Sequence, residues 1–142
     1  MAPTLVFKRN ADGTRGDFYM ATGSPGGATI IQYVAKTLVA ALDWKLDAQQ
    51  AVSMVDFGSN NATLIVGGEH PNIDTSIPAG GLAGDNDTLV RGLRDLGHTV
   101  NVAAQSSGLS AIVREVVGGN QVLTGGADPR REGNVLGDTI KR

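Results

Sequence analysis

Hydrophobic and polar positions change period several times along the chain. Thr4 to Lys8 and Asp17 to Thr22 are short β-prone runs. Between them, Asn10-Ala11-Asp12-Gly13-Thr14-Arg15-Gly16 has the chemistry of a hairpin loop. After Gly23-Ser24-Pro25-Gly26-Gly27 the period becomes helical. At roughly 100° per residue, Ile30, Ile31, Val34, Ala35, Leu38, Val39, Ala41 and Leu42 fill one half of a wheel. Thr29, Gln32, Tyr33, Lys36, Thr37 and Asp43 fill the other. So wide an apolar arc predicts a helix packed against a layer through its apolar half.

A second helix is expected from Asp47, because Asp47 and Gln50 have capping-box spacing and Leu46 and Ala51 suit a hydrophobic staple. It should end before Gly58. Ala62 to Val66 reads as a strand, and Gly67 to Gly84, with Pro71 and Pro78, as a loop. A third helix is predicted from Asp87 to Leu96, with Leu89, Val90, Leu93 and Leu96 as its stripe and Gly97 as the stop. The tail reads as a meander. Thr99 to Ala104 alternates with Val100, Val102 and Ala104 on one face. Leu109 to Val117 follows, and Gly119-Asn120 turns it into Gln121 to Thr124. The class is α/β, with two antiparallel sheet segments and three helices. No internal repeat or interdomain linker interrupts the 142 residues.

Composition narrows the chemistry. Twelve Lys plus Arg against fourteen Asp plus Glu give a net charge of −2, which argues against a nucleic-acid partner with its clustered basic face. With no cysteine there is no disulfide, thiolate metal site or cysteine nucleophile. No apolar stretch reaches the ~18 residues of a membrane span. The start, Met1-Ala2-Pro3-Thr4-Leu5-Val6-Phe7, reads as a strand rather than a signal peptide.

Gly23-Ser24-Pro25-Gly26-Gly27 is the strongest local feature. It joins a strand to a helix, where orphan N–H groups carry partial positive charge and glycines admit a close oxygen. The same arrangement suits a phosphate, the oxyanion of acyl transfer, or a tight turn with no ligand. It is neither a P-loop nor a dinucleotide fingerprint. Ser24 as a nucleophile would need His70 or His98 as its base, and neither is placed for that by the sequence. Glu69, His70 and Asp74 match no zinc spacing and read as a solvated loop. Asp128-Pro129-Arg130-Arg131-Glu132 is either a solvated end or a structural clamp in which Arg130 pairs with a carboxylate and Pro129 stops a strand.

Three segments together resemble one family. They are Met1-Ala2-Pro3-Thr4-Leu5-Val6, Ala21-Thr22-Gly23-Ser24-Pro25-Gly26-Gly27-Ala28-Thr29-Ile30-Ile31 and Gly126-Ala127-Asp128-Pro129-Arg130-Arg131-Glu132-Gly133. In that order they resemble the C-terminal part of the small subunit of γ-glutamyltranspeptidases, or glutathione hydrolases. The family has Ser-Ser-Met-Ser/Ala-Pro-Thr, then Gly-Ser-Pro-Gly-Gly at a helix start, then Ala-Asp-Pro-Arg. Val55-Asp56-Phe57-Gly58-Ser59-Asn60 departs from it, standing where many members have Ala-Pro-Arg and a His/aromatic patch.

The resemblance implies part of a four-layer αββα N-terminal nucleophile hydrolase sandwich. It implies an autoprocessed precursor whose new N-terminal threonine attacks γ-glutamyl amides such as glutathione. Gly26 and Gly27 match the glycines that give backbone donors to the oxyanion. Thr4 matches the Pro-Thr pair, not the nucleophile. The nucleophile and the residues gripping the glutamate are expected upstream, so the chain reads as an inactive fragment. Its implied partners are the rest of the small subunit and the large subunit. No metal or organic cofactor is implied, and a periplasmic or extracellular location is. Exposed sheet edges would favour self-association of the isolated piece. A related acylase, an anion-binding module and a structural module remain alternatives.

Overall fold

The computed structural model describes residues 2–59, 61 and 63–137; Met1, Asn60 and Ala62, which fall within the expected segments, lie outside them. Strands β1 (Thr4–Arg9) and β2 (Arg15–Gly23) form the expected hairpin. Its loop closes through Asn10 N to Thr14 O at 3.0 Å, and Asp12 Oδ1 accepts the Thr14 N–H at 2.9 Å. A 3₁₀ turn at Gly27–Thr29 leads into α1 (Ile30–Leu42), and α2 (Ala48–Ser53) follows. Both bonds of the capping box form, Gln50 N to Asp47 Oδ1 at 2.7 Å and Asp47 N to Gln50 Oε1 at 3.1 Å.

Two short strands, β3 (Phe57–Gly58) and β4 (Leu64–Gly67), precede α3 (Thr88–Asp95) and β5 (Val100–Ala103). Asp87 caps α3 by accepting the Val90 N–H at 3.0 Å. Its end is a Schellman motif: Gly97 at φ +92° donates to Arg94 O, and His98 N to Leu93 O. The chain closes with β6 (Ser110–Val117) and β7 (Asn120–Ala127). Their two-residue turn is Gly118-Gly119, both at positive φ, as a type I′ turn demands. The turn therefore sits one residue before the expected Gly119-Asn120.

One sheet has the order β1-β2-β6-β7 and is antiparallel throughout. The other has the order β3-β4-β5, and β4 and β5 run parallel. This corrects the expected meander, because β5 does not pair with β6. Alternation at Thr99 to Ala104 fits any half-buried strand. The intervening α3 decides the pairing, because a helical crossover returns the chain parallel to β4.

The main core lies between the four-stranded sheet and α1 and α2. It holds Met20, Tyr33, Ala40, Ala41, Ala48, Ala51, Val52, Leu109, Ala111 and Val113. A smaller core joins Val66, Val90 and Val100 in the second sheet and α3. In α3 only Val90 and Leu93 of the expected stripe pack inward; Leu89 and Leu96 are exposed.

Helix α1 is turned relative to the sequence expectation. Tyr33, Val34, Lys36, Thr37, Ala40 and Ala41 are buried, whereas Ile31 is 74% exposed and Val39 is also exposed. Three residues of the polar half go inward because each finds a partner there. Tyr33 Oη donates to Gln105 Oε1 at 2.7 Å, Lys36 Nζ to Asp56 Oδ1 at 2.8 Å, and Thr37 Oγ1 to Tyr33 O at 2.9 Å. A buried polar group with its bonds made is tolerated. The far face of the large sheet is also largely open, with Val135 lying over Gly125 at its β7 side. Leu5, Ala21, Ile112 and Gly125 lie in register across it, and Leu5 is 63% exposed.

Small residues let α2 approach β7 closely. A Cβ on Gly126 would lie 2.5 Å from the Ala48 carbonyl carbon and 2.8 Å from Gln49 N. Because backbone cannot rotate away, Gly126→Ala should destabilise the fold by about 2–3 kcal/mol. Urea unfolding checks this, and an unchanged midpoint would contradict the close packing.

Candidate functional site

The glycine loop begins where β2 ends. Ser24 is 2% exposed; its hydroxyl donates to Pro25 O at 2.7 Å and accepts the Gly108 N–H at 3.1 Å. Gly26 has φ +139° and Gly27 φ +60°, both in the region that favours glycine. Gly26 O accepts Thr29 N at 3.2 Å and Thr29 Oγ1 at 2.7 Å, which fixes the direction of that carbonyl. A Cβ on Gly26 would lie 2.6 Å from Tyr33 Cε2, whereas around Gly27 nothing lies within 4 Å. Among the described residues, no acceptor is bonded to the Gly26 or Gly27 N–H. Two adjacent donors thus stand at the head of α1, where the helix end carries partial positive charge. Such a pair suits an oxygen that is, or becomes, negative.

Ser24 is not arranged as a nucleophile: its hydroxyl is committed to backbone, and no hydrogen bond joins it to either histidine. His70 Nε2 is 3.1 Å from Ser53 O, and its Nδ1 accepts the Asn72 N–H. His98 contributes its backbone N–H to the end of α3. Glu69, His70 and Asp74 face separate partners. Glu69 bonds Arg130 and Gln105 N, and Asp74 Oδ1 accepts the Ser76 N–H. No group of three potential metal ligands stands together among the described residues.

Arg130 is the clamp. Its Nε donates to Glu69 Oε1 at 2.7 Å and its Nη1 to Asp128 Oδ1 at 3.0 Å, while Nη2 reaches Met54 O at 2.7 Å. Asp56 Oδ2 is 3.3 Å from Nε but receives no hydrogen bond, because the Nε hydrogen points at Glu69. Asp56 Oδ1 holds Lys36 instead, and that ammonium also donates to Met54 O at 2.9 Å. Asp128 Oδ2 accepts from the Ser107 hydroxyl and, at 3.0 Å, from Leu109 N. Arg131 adds bonds to Ser106 O at 3.0 Å and Ser107 O at 3.2 Å. Asp128 and Arg130 of the terminal charged run are therefore built into the fold, whereas Arg131 and Glu132 stay exposed.

Burial lowers the Lys36 pKa, with Asp56 opposing. Burial also acts against the Arg130 guanidinium, but the bond to Glu69 and the charges of Asp56 and Asp128 outweigh it and raise its pKa. At Asp128, burial alone would raise the pKa. The Ser107 hydroxyl, the Arg130 and Leu109 N–H groups and the Arg130 side chain outweigh burial and hold it below the ordinary carboxylate value. Its stabilising contribution is then complete above an unfolded pKa of about 3.9, and is lost as pH falls through the lower folded value. Asp128→Asn should flatten the acid limb of a pH–stability curve. An equally steep acid limb in that variant would contradict this.

The sequence pointed to Gly26, Gly27 and Arg130 but not to Tyr33, Lys36, Asp56, Gln105 or Ser107. One signal was available: Lys36 is the only charged residue in the thirteen of α1.

Residues 1–138 match the family model described as gamma-glutamyltranspeptidase. Among solved structures, a mutant Helicobacter pylori γ-glutamyltranspeptidase aligns with TM-score 0.67 and 25% identity, over 92% of this chain and 61% of that one. The Bacillus anthracis transpeptidase CapD aligns with TM-score 0.63 and 21% identity, over 97% of this chain and 70% of that one. A cephalosporin acylase from Bacillus halodurans gives TM-score 0.63 and 20% identity, over 84% and 20%. The last two show a shared fold alone. No curated protein matches the sequence. The chain spans about three-fifths of the Helicobacter pylori chain, and its mixed helices and sheets are those of the N-terminal nucleophile hydrolases. With the family model matched over nearly its whole length, the chain belongs to the γ-glutamyltranspeptidase family.

Proposed function

We propose that this chain forms the C-terminal part of a γ-glutamyltranspeptidase small subunit, in which Gly26 and Gly27 stabilise the oxyanion of γ-glutamyl transfer. The observation that carries this reading is the pair of unbonded N–H groups held at positive φ at the head of α1. A threonine hydroxyl attacks the γ-glutamyl carbonyl carbon, and the carbonyl oxygen takes the electron pair. The two N–H groups bind that oxygen as its charge grows. The proton that the threonine hydroxyl loses passes to the scissile nitrogen, and collapse of the tetrahedral species then expels the neutral amine and leaves an acyl-enzyme. Water or an amino acid then attacks the ester and releases the γ-glutamyl group. No step requires a metal or organic cofactor.

The nucleophile belongs to polypeptide beyond this chain. Hydroxyls around the loop are already engaged: Ser24 with Pro25 O, Thr29 with Gly26 O, and Thr22 with Ser110 O at 2.9 Å. Thr4 Oγ1 donates to Ala2 O. The rest of the small subunit and the large subunit are the partners. The uncovered apolar positions Leu5 and Ile112 on the sheet, and Ile31 and Val39 on α1, suit them. Left alone, the same surfaces and sheet edges favour self-association, which sedimentation over a range of concentrations would test.

A related acylase is the second reading, favoured by the fold shared with the cephalosporin acylase. Assaying the parent enzyme on γ-glutamyl anilide and on a β-lactam-type amide separates the two. Turnover of γ-glutamyl anilide is expected. Turnover of the β-lactam-type amide alone would overturn the γ-glutamyl reading.

A further inference from the structure

The geometry points to Tyr33 as a positioning residue for the Gly26–Gly27 donors, an inference that rests on their proposed role at the oxyanion. Gly26 sits at φ +139°, a conformation that persists only where its surroundings hold it. Thr29 holds its carbonyl. The Tyr33 ring holds its other side, so close that a Cβ on Gly26 would meet Cε2 at 2.6 Å and Cδ2 at 3.1 Å. Tyr33 is 2% exposed, and its hydroxyl donates to Gln105 Oε1 at 2.7 Å. That bond fixes the ring along its long axis.

Gln105 is itself anchored. Its N–H donates to Glu69 Oε2 at 2.8 Å, and Glu69 Oε1 takes the Arg130 Nε hydrogen. Three residues on, Gly108 N donates to Ser24 Oγ. The connection from β5 to β6 thus grips the glycine loop twice, at Ser24 directly and at Gly26 through Tyr33. The Arg131 bonds to Ser106 O and Ser107 O, and the Asp128 bonds to Ser107 and Leu109, hold that connection in place. Tyr33 touches no reacting atom. It acts by setting where the two N–H groups point.

A donor displaced by about 1 Å loses on the order of 10² in rate. Tyr33→Phe keeps the ring and removes the bond to Gln105. Tyr33→Leu removes the ring that abuts Gly26. In the parent enzyme, Tyr33→Phe should lower kcat about tenfold and Tyr33→Leu about 10²-fold. KM for γ-glutamyl anilide should stay within about twofold, because the donors act in the transition state. Affinity for a γ-glutamyl boronate, which becomes tetrahedral on the nucleophile, should fall by the same factors as kcat. Should Tyr33→Leu fail to fold, Gln105→Met removes the same hydrogen bond from the other side and should match Tyr33→Phe.

A lowered melting temperature with unchanged kcat and boronate affinity in Tyr33→Phe and Gln105→Met would make Tyr33 merely structural and overturn the proposal. Gly27→Val in the same parent separates the two levels. If it weakens kcat and boronate binding while the Tyr33 and Gln105 variants do not, only the role of Tyr33 falls. If Gly27→Val also changes neither, the oxyanion assignment falls with it.

Discussion

Gly27→Val in the parent enzyme is expected to cut turnover by about 10²–10³, the cost of losing one well-placed oxyanion donor. Two effects combine. Gly27 has φ +60°, which a β-branched residue adopts only under strain, so the loop shifts. The space beyond it is also open, with no atom within 4 Å of a Cβ built there. A Cβ there would meet no other described residue beyond its chain neighbours and, on the proposed reading, would stand where the substrate oxygen approaches. The loss should fall on kcat rather than KM, and the circular dichroism of α1 should be unchanged, because its buried face from Tyr33 to Ala41 is untouched. Unchanged turnover would remove the glycine pair from the chemistry.

The largest effect on stability is expected at Arg130. Arg130→Ala leaves Asp56, Glu69 and Asp128 without their shared cation and strips donors from Met54 O and Val52 O. Asp56 and Asp128 are buried, and Lys36 compensates only the first. Removing one side of such a buried group costs about 3–5 kcal/mol. Set against a total of about 5–15 kcal/mol for a folded domain, that removes roughly a third to a half of the stability at the middle of the range. Arg130→Lys should recover part of the loss, because one ammonium cannot fork between Glu69, Asp128 and Met54 O. Denaturant unfolding of the three proteins checks this; a difference below about 1 kcal/mol for the alanine variant would show the cluster to be dispensable.

Features legible in the sequence were those whose partners lie a few residues away. Asp47 and Gln50 announced their capping box, Gly97 announced the end of α3, and the polar stretch after Asn10 announced a hairpin. The terminal run could be read from sequence either as a solvated end or as a clamp, because the carboxylates that Arg130 gathers, Asp56 and Glu69, lie far away along the chain. What failed to show depends on distant pairing. Lys36 is 20 residues from Asp56, and Tyr33 is 72 from Gln105. Without those partners a wheel assigns both to the solvent face and turns α1 the wrong way. The same limit hid the parallel pairing of β4 with β5, which α3 imposes. The glycine loop was legible as a string of residues. The direction of its amides was not, because the Tyr33 ring and the hydroxyl of Thr29 fix it.

The most direct test of the central reading is γ-glutamyl anilide hydrolysis, measured for the purified chain alone and after recombination with the upstream polypeptide that carries the nucleophilic threonine. The chain alone should release no aniline. The recombined protein should, and Gly27→Val introduced into the chain should abolish most of that release. Release of aniline by the chain alone, lost in its Gly27→Val variant, would contradict the reading that the nucleophile comes from elsewhere.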